Sequence, residues 1–352
     1  MWSLDLSHDL RRLTALGWNG SLEAAFAALA GRGGHCGLVA RVDGRLVTVM
    51  TTSGPARVQL AASLGGAPGD GGVTTGDWLV VEDGVALHLL PRRSVLMRRA
   101  AGLATSGQAV AANIDVVFVT AALGKTLNLR RIERSLAIAW SSGATPVVLL
   151  TKSDLSADVG ADHRAARSVA TGAEVLPVNS AGEGVGRVRD LLPPGTVAVL
   201  VGPSGTGKST LVNRLVASDR LETRAVRGDG KGRHTTTHRE LVELPGAGMI
   251  IDTPGTRELG LWDAEDGIHE VFADLTDIAS ACRFRDCRHD REPGCAIREA
   301  AAADPSVLVR LRSRQKLERE QQRVDASRDR RALADQRREL RRRARSIRQN
   351  VR

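Results

Sequence analysis

The residues with the most chemical content fall in one short run. Val197-Ala198-Val199-Leu200-Val201 leads directly into Gly202-Pro203-Ser204-Gly205-Thr206-Gly207-Lys208-Ser209-Thr210. An apolar run feeding G-x-x-x-x-G-K-S reads as a buried strand, a phosphate-binding loop and the start of a helix. The glycines let successive backbone N–H groups turn inward on phosphate oxygens. Lys208 reaches the β and γ oxygens, and the Ser209 hydroxyl is placed to ligate Mg²⁺. The helix that begins there adds the positive end of its dipole. Val201 to Thr210 is therefore expected to hold a nucleoside triphosphate.

Lysine usage extends the pattern. The chain has 50 Lys and Arg, but lysine stands only at 125, 152, 208, 231 and 316. Arg serves nearly everywhere that a plain positive charge suffices, so each lysine marks a place where a slim ammonium matters. Lys152 lies in Thr151-Lys152-Ser153-Asp154, after the apolar Pro146-Val147-Val148-Leu149-Leu150. This tetrapeptide is similar to the Asn-Lys-x-Asp base-reading motif of GTPases. In that reading Asp154 accepts two hydrogen bonds from guanine, which selects GTP over ATP, and the Lys152 stem lies over the base. Thr151 replaces the usual Asn, which predicts a weaker grip with guanine selectivity kept. Val178-Asn179-Ser180-Ala181 is similar to the second base-contacting loop.

Two further segments complete a catalytic set. Asp252-Thr253-Pro254-Gly255 follows Met249-Ile250-Ile251 and matches Asp-x-x-Gly. Asp252 would hold Mg²⁺ through water, and the Gly255 N–H would bind the γ-phosphate. Either Thr236 or Thr237, in Thr235-Thr236-Thr237, would close on Mg²⁺ from the first switch. Thr256 stands where Ras-like enzymes carry a water-orienting Gln, so slow intrinsic hydrolysis is expected. His234 is the in-chain candidate to position water beside Lys208 and Gly255; a structural or RNA contact is its other reading.

The order of these motifs is unusual, because the base-reading segment precedes the phosphate loop. A parallel sheet depends on which strands adjoin, not on where the chain is cut. The order therefore indicates a circularly permuted GTPase domain, with its second switch at the C-terminal edge. Any module attached at that edge is coupled to the γ-phosphate.

The segment beyond the second switch carries Cys282-x4-Cys287-x-His289-x5-Cys295. Three thiolates and an imidazole make a closed, structural zinc set, one ion per chain. Scattered reduced cysteines are the competing reading, and a disulfide framework is disfavoured because nothing suggests export. Cys36 reads as a small core residue.

Several elements must position this chemistry. Short β-like segments at Gly37–Val42, Leu46–Thr51, Ala56–Ala62, Asp77–Glu82 and Val85–Leu90 suggest an OB-fold barrel. The expected fold is a multidomain α+β chain. It divides into a helical segment (1–34), the barrel (35–97), an α/β P-loop GTPase domain (98–262), a helical zinc-binding domain (263–318) and an arginine-rich tail (319–352).

The net charge of +10 is concentrated in that last part. Residues 305–352 carry 17 basic against six acidic side chains, whereas the rest is nearly balanced. A helix is expected from Asp304-Pro305, with Val307, Leu308, Leu311 and Leu317 as a short apolar face. The dense arginines beyond it fit an RNA backbone better than a merely solvated surface. Aromatic content of 3% with no Tyr argues against a stacking-rich single-strand binder. No apolar run reaches membrane-spanning length, and no signal peptide is evident, so a cytoplasmic protein is expected.

Taken together, the chain resembles the small-ribosomal-subunit-dependent GTPases, the RsgA-type ribosome assembly factors. The resemblance rests on the permuted order, Ala112-Asn113-Ile114-Asp115, Gly230-Lys231-Gly232-Arg233-His234-Thr235-Thr236-Thr237 and the zinc spacing. It implies docking on the maturing small subunit and its rRNA, with hydrolysis of GTP stimulated there. A monomer off the ribosome, with no DNA or membrane partner, is expected. An RNA-binding scaffold that holds GTP without turnover and an ATP-dependent P-loop enzyme are the rival readings.

Overall fold

The structure, a computed structural model, describes residues 6–31, 33–65, 72–99, 107–124, 126–179, 182–217, 239–252 and 260–350, with side chains left out at 6–8 and 331–350. Two helices open it, α1 (Leu6–Ala15) and α2 (Gly20–Leu29), the second capped by the Asn19 side chain. Five strands then close into a barrel in the order β1-β2-β3-β5-β4. They are β1 (His35–Asp43), β2 (Leu46–Thr51), β3 (Gly54–Leu60), β4 (Trp78–Glu82) and β5 (Val85–Leu89). Alternating apolar residues such as Val39, Val47, Val49, Val58 and Leu79 fill one cluster. On the other side of β4, Trp78 meets Trp18 edge to face at 4.9 Å, which seats the opening helices on the barrel.

An antiparallel ribbon of β6 (Val95–Arg99) and β7 (Gly107–Ala112) leads into the central domain. There β8 (Val116–Ala122), α3 (Leu129–Trp140), β9 (Thr145–Thr151), α4 (Val159–Arg167), β10 (Glu174–Val178) and α5 (Val185–Asp190) precede β11 (Val197–Val201) and α6 (Lys208–Ala217). The domain finishes with β12 (Glu240–Glu243) and β13 (Met249–Asp252). The sheet order is β10-β9-β8-β11-β13-β12, parallel except for β12. Every residue of β11 is buried, as befits a central parallel strand covered on both faces. The three strands that precede β11 in the chain all lie on one side of it, and β13 lies on the other. The site is thus assembled across the point where the permuted chain order reverses.

The C-terminal part is helical: α7 (Glu265–Val271), α8 (Ala273–Ser280), α9 (Ala296–Ala303) and α10 (Ser306–Asn350). Gly267 lets α7 cross α3 closely; a Cβ there would lie 1.9 Å from the Ala137 carbonyl oxygen. The Asp304 carboxylate accepts from the Ser306 N–H at 2.9 Å and starts α10, which at 1.5 Å per residue runs for about 70 Å. This helix crosses residue 318 without a break. Leu311, Leu317 and Val324 are buried, Gln321 accepts from the Ala264 N–H at 3.1 Å, and Arg328 lies 4.9 Å over the Trp262 ring. Residues 319–328, which the charge pattern groups with the tail, therefore pack on the domain in front of them.

Candidate nucleotide-binding and metal sites

The motif residues collect at the carboxyl ends of the parallel strands. Thr151 ends β9 and Lys152–Asp154 follow it, Asn179 follows β10, Gly202–Lys208 follows β11, and Asp252 ends β13. Ligands of open α/β sheets bind along this edge. Gly202, Gly205 and Gly207 have φ of 145°, 81° and 87°, values that glycine adopts without Cβ strain. Gly202 has a second constraint, since a Cβ would lie 2.2 Å from Thr120 Oγ1.

Lys208 opens α6, and its Nζ donates to the carbonyls of Gly202 (2.7 Å) and Pro203 (2.8 Å). Burial pushes its pKa below the ordinary lysine value, and Asp252 pulls it back. Burial likewise raises the Asp252 carboxyl, Lys208 opposes that rise, and Glu240, directly across the ladder, adds to it. Lys208 and Asp252 are thus electrostatically coupled beside the loop, with Ser209 exposed in the first turn of α6. This donor set fits a metal-bound triphosphate.

A chain of hydroxyls joins the base-reading segment to the phosphate loop. Thr151 Oγ1 donates to the Thr206 carbonyl at 2.6 Å, and Thr206 Oγ1 lies 2.7 Å from Thr120 Oγ1. Thr120 also donates to the Val201 carbonyl at 3.1 Å. The Thr151 hydroxyl is thus aimed at the loop. Thr120 escaped the sequence reading; its signal is a lone hydroxyl closing the apolar run Val116-Val117-Phe118-Val119.

Lys152 adopts a left-handed backbone, φ 57°, and lines two adjoining spaces. One, of about 390 Å³, lies between Val119–Gly124 and Pro203–Thr206; the other, of about 80 Å³, is bounded by Thr151, Asn179, Gly207 and Thr210. Asp154 is exposed on the one-turn helix Ser153–Leu155, and Ser153 is buried beneath it. Asn179 Oδ1 accepts from the N–H groups of Gly182 (2.9 Å) and Glu183 (3.0 Å), so this side chain shapes its own loop. Ser180, Ala181, His234, Thr236, Thr237 and Gly255 lie outside the described residues.

The second site is compact. The donor atoms of Cys282, Cys287, His289 and Cys295 all lie within 4.8 Å of one another. His289 Nδ1 is 3.6 Å from Cys282 Sγ and 3.5 Å from Cys295 Sγ. Tetrahedral zinc, with its usual bond lengths to sulfur and nitrogen, sets such atoms about 3.6 Å apart. The Glu292 carboxylate holds the loop around the ligands, accepting from the N–H groups of Arg288 (3.0 Å), Asp290 (2.9 Å) and Arg291 (3.0 Å). Its own N–H and that of Arg288 lead in holding its carboxyl down to about 2. Cys36 stands apart in the barrel, where burial pushes its thiol up to about 12; that is a core residue, not a reactive one.

Barrel, permuted sheet, phosphate loop and a compact Cys₃His cluster define a circularly permuted P-loop GTPase. The RsgA GTPase family profile matches residues 89–262. A Streptomyces coelicolor protein named Small ribosomal subunit biogenesis GTPase RsgA is 44% identical, covering 94% of this chain and 92% of its own length. A relative of the same name from Opitutus terrae is 45% identical over 70% of this chain and 72% of its own. Two solved structures share the fold at 22% identity and a TM-score of 0.56: YjeQ from Thermotoga maritima, over 81% of this chain and 97% of that one, and YloQ, described as a circularly permuted GTPase, over 82% and 94%. The chain belongs to the RsgA GTPase family and is a GTP-hydrolysing enzyme.

Proposed function

We propose that this enzyme hydrolyses GTP on the small ribosomal subunit, acts late in its maturation, and is stimulated by that subunit. The observation that carries this reading is 44% identity across 94% of the chain to a relative named for small-subunit biogenesis. Asp154 reads guanine, the Lys152 stem lies over the base, and the loop around Asn179, Ser180 and Ala181 closes the base pocket. Lys208 exchanges its loop carbonyls for the charged β and γ oxygens, which are stronger acceptors. Gly255 donates its N–H to the γ-phosphate, and His234 orients water.

Ser209, Asp252 and Thr236 (or Thr237) are the residues that would hold Mg²⁺, which neutralises charge on the transferring phosphoryl group. Cys282, Cys287, His289 and Cys295 would hold one zinc ion, stapling a segment with little apolar area of its own. The arginine-rich end of α10 and the zinc module contact rRNA. The enzyme works in the cytoplasm as a monomer off the subunit, with neither DNA nor a membrane as partner; among the described residues no helix is long and apolar enough to cross one.

GTP turnover with small subunits, and with large subunits as control, tests the reading. Strong stimulation by small subunits alone is the expected outcome. GTP binding without stimulation would leave an RNA-binding scaffold instead.

A further inference from the structure

The chain is poor in aromatic side chains, with five Trp, four Phe and no Tyr, so the place of each one is informative. Among the described residues Phe118, Phe272, Trp18 and Trp78 are buried, and Phe26, Trp140 and Trp262 are half-buried. Phe284 alone of these two residue types stands exposed, at 41%. A lone exposed apolar side chain needs no explanation by itself. The setting of this one is what distinguishes it.

The backbone beneath the ring is fixed. Phe284 lies in the loop between α8 and α9, and the Arg283 N–H donates to the Gly294 carbonyl at 3.0 Å, which ties the two ends of that loop together. Gly294 permits the approach, since its φ is 70° and a Cβ there would lie 3.0 Å from Arg283 Cβ. The Cys287 N–H donates to the Phe284 carbonyl at 3.3 Å and closes a turn. A ring with two side-chain torsions on such a turn loses little further entropy when a ligand covers it. Leu275 of α8 and Ile297 of α9 are buried, yet the largest apolar side chain of the loop between them is left in water. A local rule broken in this way, at no gain to folding, points to function.

The neighbours of the ring indicate what covers it. Arg283 Cζ lies over the ring, 5.4 Å from its centroid, and Arg285 follows it in the chain. Both arginines are exposed. Charge in the loop is mixed, because Asp286, Asp290 and Glu292 accompany Arg283, Arg285, Arg288 and Arg291. The ring therefore sets the class of ligand. An aromatic face beside guanidinium groups suits a nucleobase, which stacks on the ring while its flanking phosphates meet the cations. Bases inside a duplex offer no free face, so the fit is to an unpaired nucleotide. A protein contact is built on several apolar anchors, and no other large apolar side chain in residues 281–295 is exposed.

We infer that Phe284 stacks on an unpaired base of RNA, with Arg283 and Arg285 beside the adjoining phosphates. The base is recognised by its face, so the contact tolerates sequence and selects unpaired over paired RNA. The inference rests on the small-subunit reading above.

Ultraviolet cross-linking of the full chain bound to small subunits, followed by mass spectrometry, tests it, because a ring stacked on a base couples to it without a spacer. The peptide that holds Phe284 is expected to carry a nucleotide. In parallel, Phe284→Leu keeps most of the apolar area and removes the ring, and its dissociation constant for small subunits is expected to rise about tenfold. Phe284→Trp, with a larger stacking face, is expected to bind at least as tightly as wild type. Both variants should keep the wild-type melting temperature.

Equal affinity of wild type and Phe284→Leu, with subunit-stimulated turnover intact, overturns the stacking and leaves the assembly reading standing. Weakening in both variants, with no nucleotide on the Phe284 peptide, identifies an apolar contact with a ribosomal protein and overturns the RNA proposal. Should Phe284→Leu melt lower, the wild-type cross-link decides, and a bare Phe284 peptide overturns the platform. Absence of any subunit binding or stimulation in the wild type overturns both readings.

Discussion

At Thr151 and Asp154, two side chains three positions apart divide the duties of one loop. The Thr151 hydroxyl is buried against the phosphate loop, while Asp154 stands exposed where a base can reach it. Their substitutions should separate accordingly. Asp154→Asn exchanges an acceptor for a donor, so competition binding should show preference moving from guanine to xanthine nucleotides with the melting temperature nearly unchanged. Retained GTP preference would show that this carboxylate does not read the base. Thr151→Val removes the donor from a buried carbonyl, which costs about 1–3 kcal/mol. Both the melting temperature and nucleotide affinity should then fall; unchanged values for both would mean that the hydroxyl chain through Thr206 and Thr120 carries no structural weight. The position of the carboxylate just beyond β9 was legible from Thr-Lys-Ser-Asp after an apolar run. The direction of the hydroxyl was not, because its partner is 55 residues away in the chain.

At the scale of elements, Arg310 is the hub between the GTPase domain and the C-terminal helices. From α10 it reaches Glu133 of α3 at 3.3 Å, the Val271 carbonyl at 2.9 Å and the Asp274 carboxylate of α8, and lies 5.4 Å over the Phe272 ring. Burial raises the Glu133 carboxyl, with Ser313 and then Arg310 opposing it. Removing the cation alone leaves a buried carboxylate uncompensated, so Arg310→Met should destabilise by about 3–5 kcal/mol in thermal or denaturant unfolding. Adding Glu133→Leu should recover much of that loss, since a buried ion pair is replaceable by apolar contact. No recovery would assign the effect to Arg310's other contacts. The Cys₃His cluster, with zinc held as proposed, makes a separate prediction. A chelator should melt α8 and α9, seen as a decrease in helical circular dichroism, while GTP still binds, because the sheet edge contributes none of the four ligands. An unchanged spectrum after the metal is removed would mean that the segment folds without it.

For the molecule as a whole, charge is divided from catalysis along one helix. Among the described side chains, contacts of α10 with the domains before it extend to Arg328, and the sequence of residues 331–352 carries nine more arginines. Deleting 331–352 should leave basal GTP turnover intact and flatten the salt dependence of RNA binding. The log–log slope should fall by about 0.7 for each single-strand phosphate that the arginines no longer neutralise. An unaltered slope would make those arginines a solvated surface. The apolar stripe that docks this helix was only partly readable. Val307 to Leu317 shows helical spacing, but the stripe continues through Gln321, whose burial depends on capping α7 at Ala264. A polar residue satisfied by a distant backbone N–H cannot be told from a solvent-facing one by periodicity.

The sequence by itself determined the nucleotide chemistry, the permuted order and the gathering of three cysteines and a histidine in one short segment. Those rest on glycine conformation, residue type and short spacing, which are local properties of the chain. The barrel was legible for the same reason, as alternating apolar residues between turns. Only the tertiary structure decided which hydroxyls bridge the two nucleotide loops, that Glu133 is buried against Arg310, and that Gln321 of α10 reaches the Ala264 N–H. Each of these joins residues far apart in the chain, and each depends on desolvation or close approach, which exist only once the elements have packed.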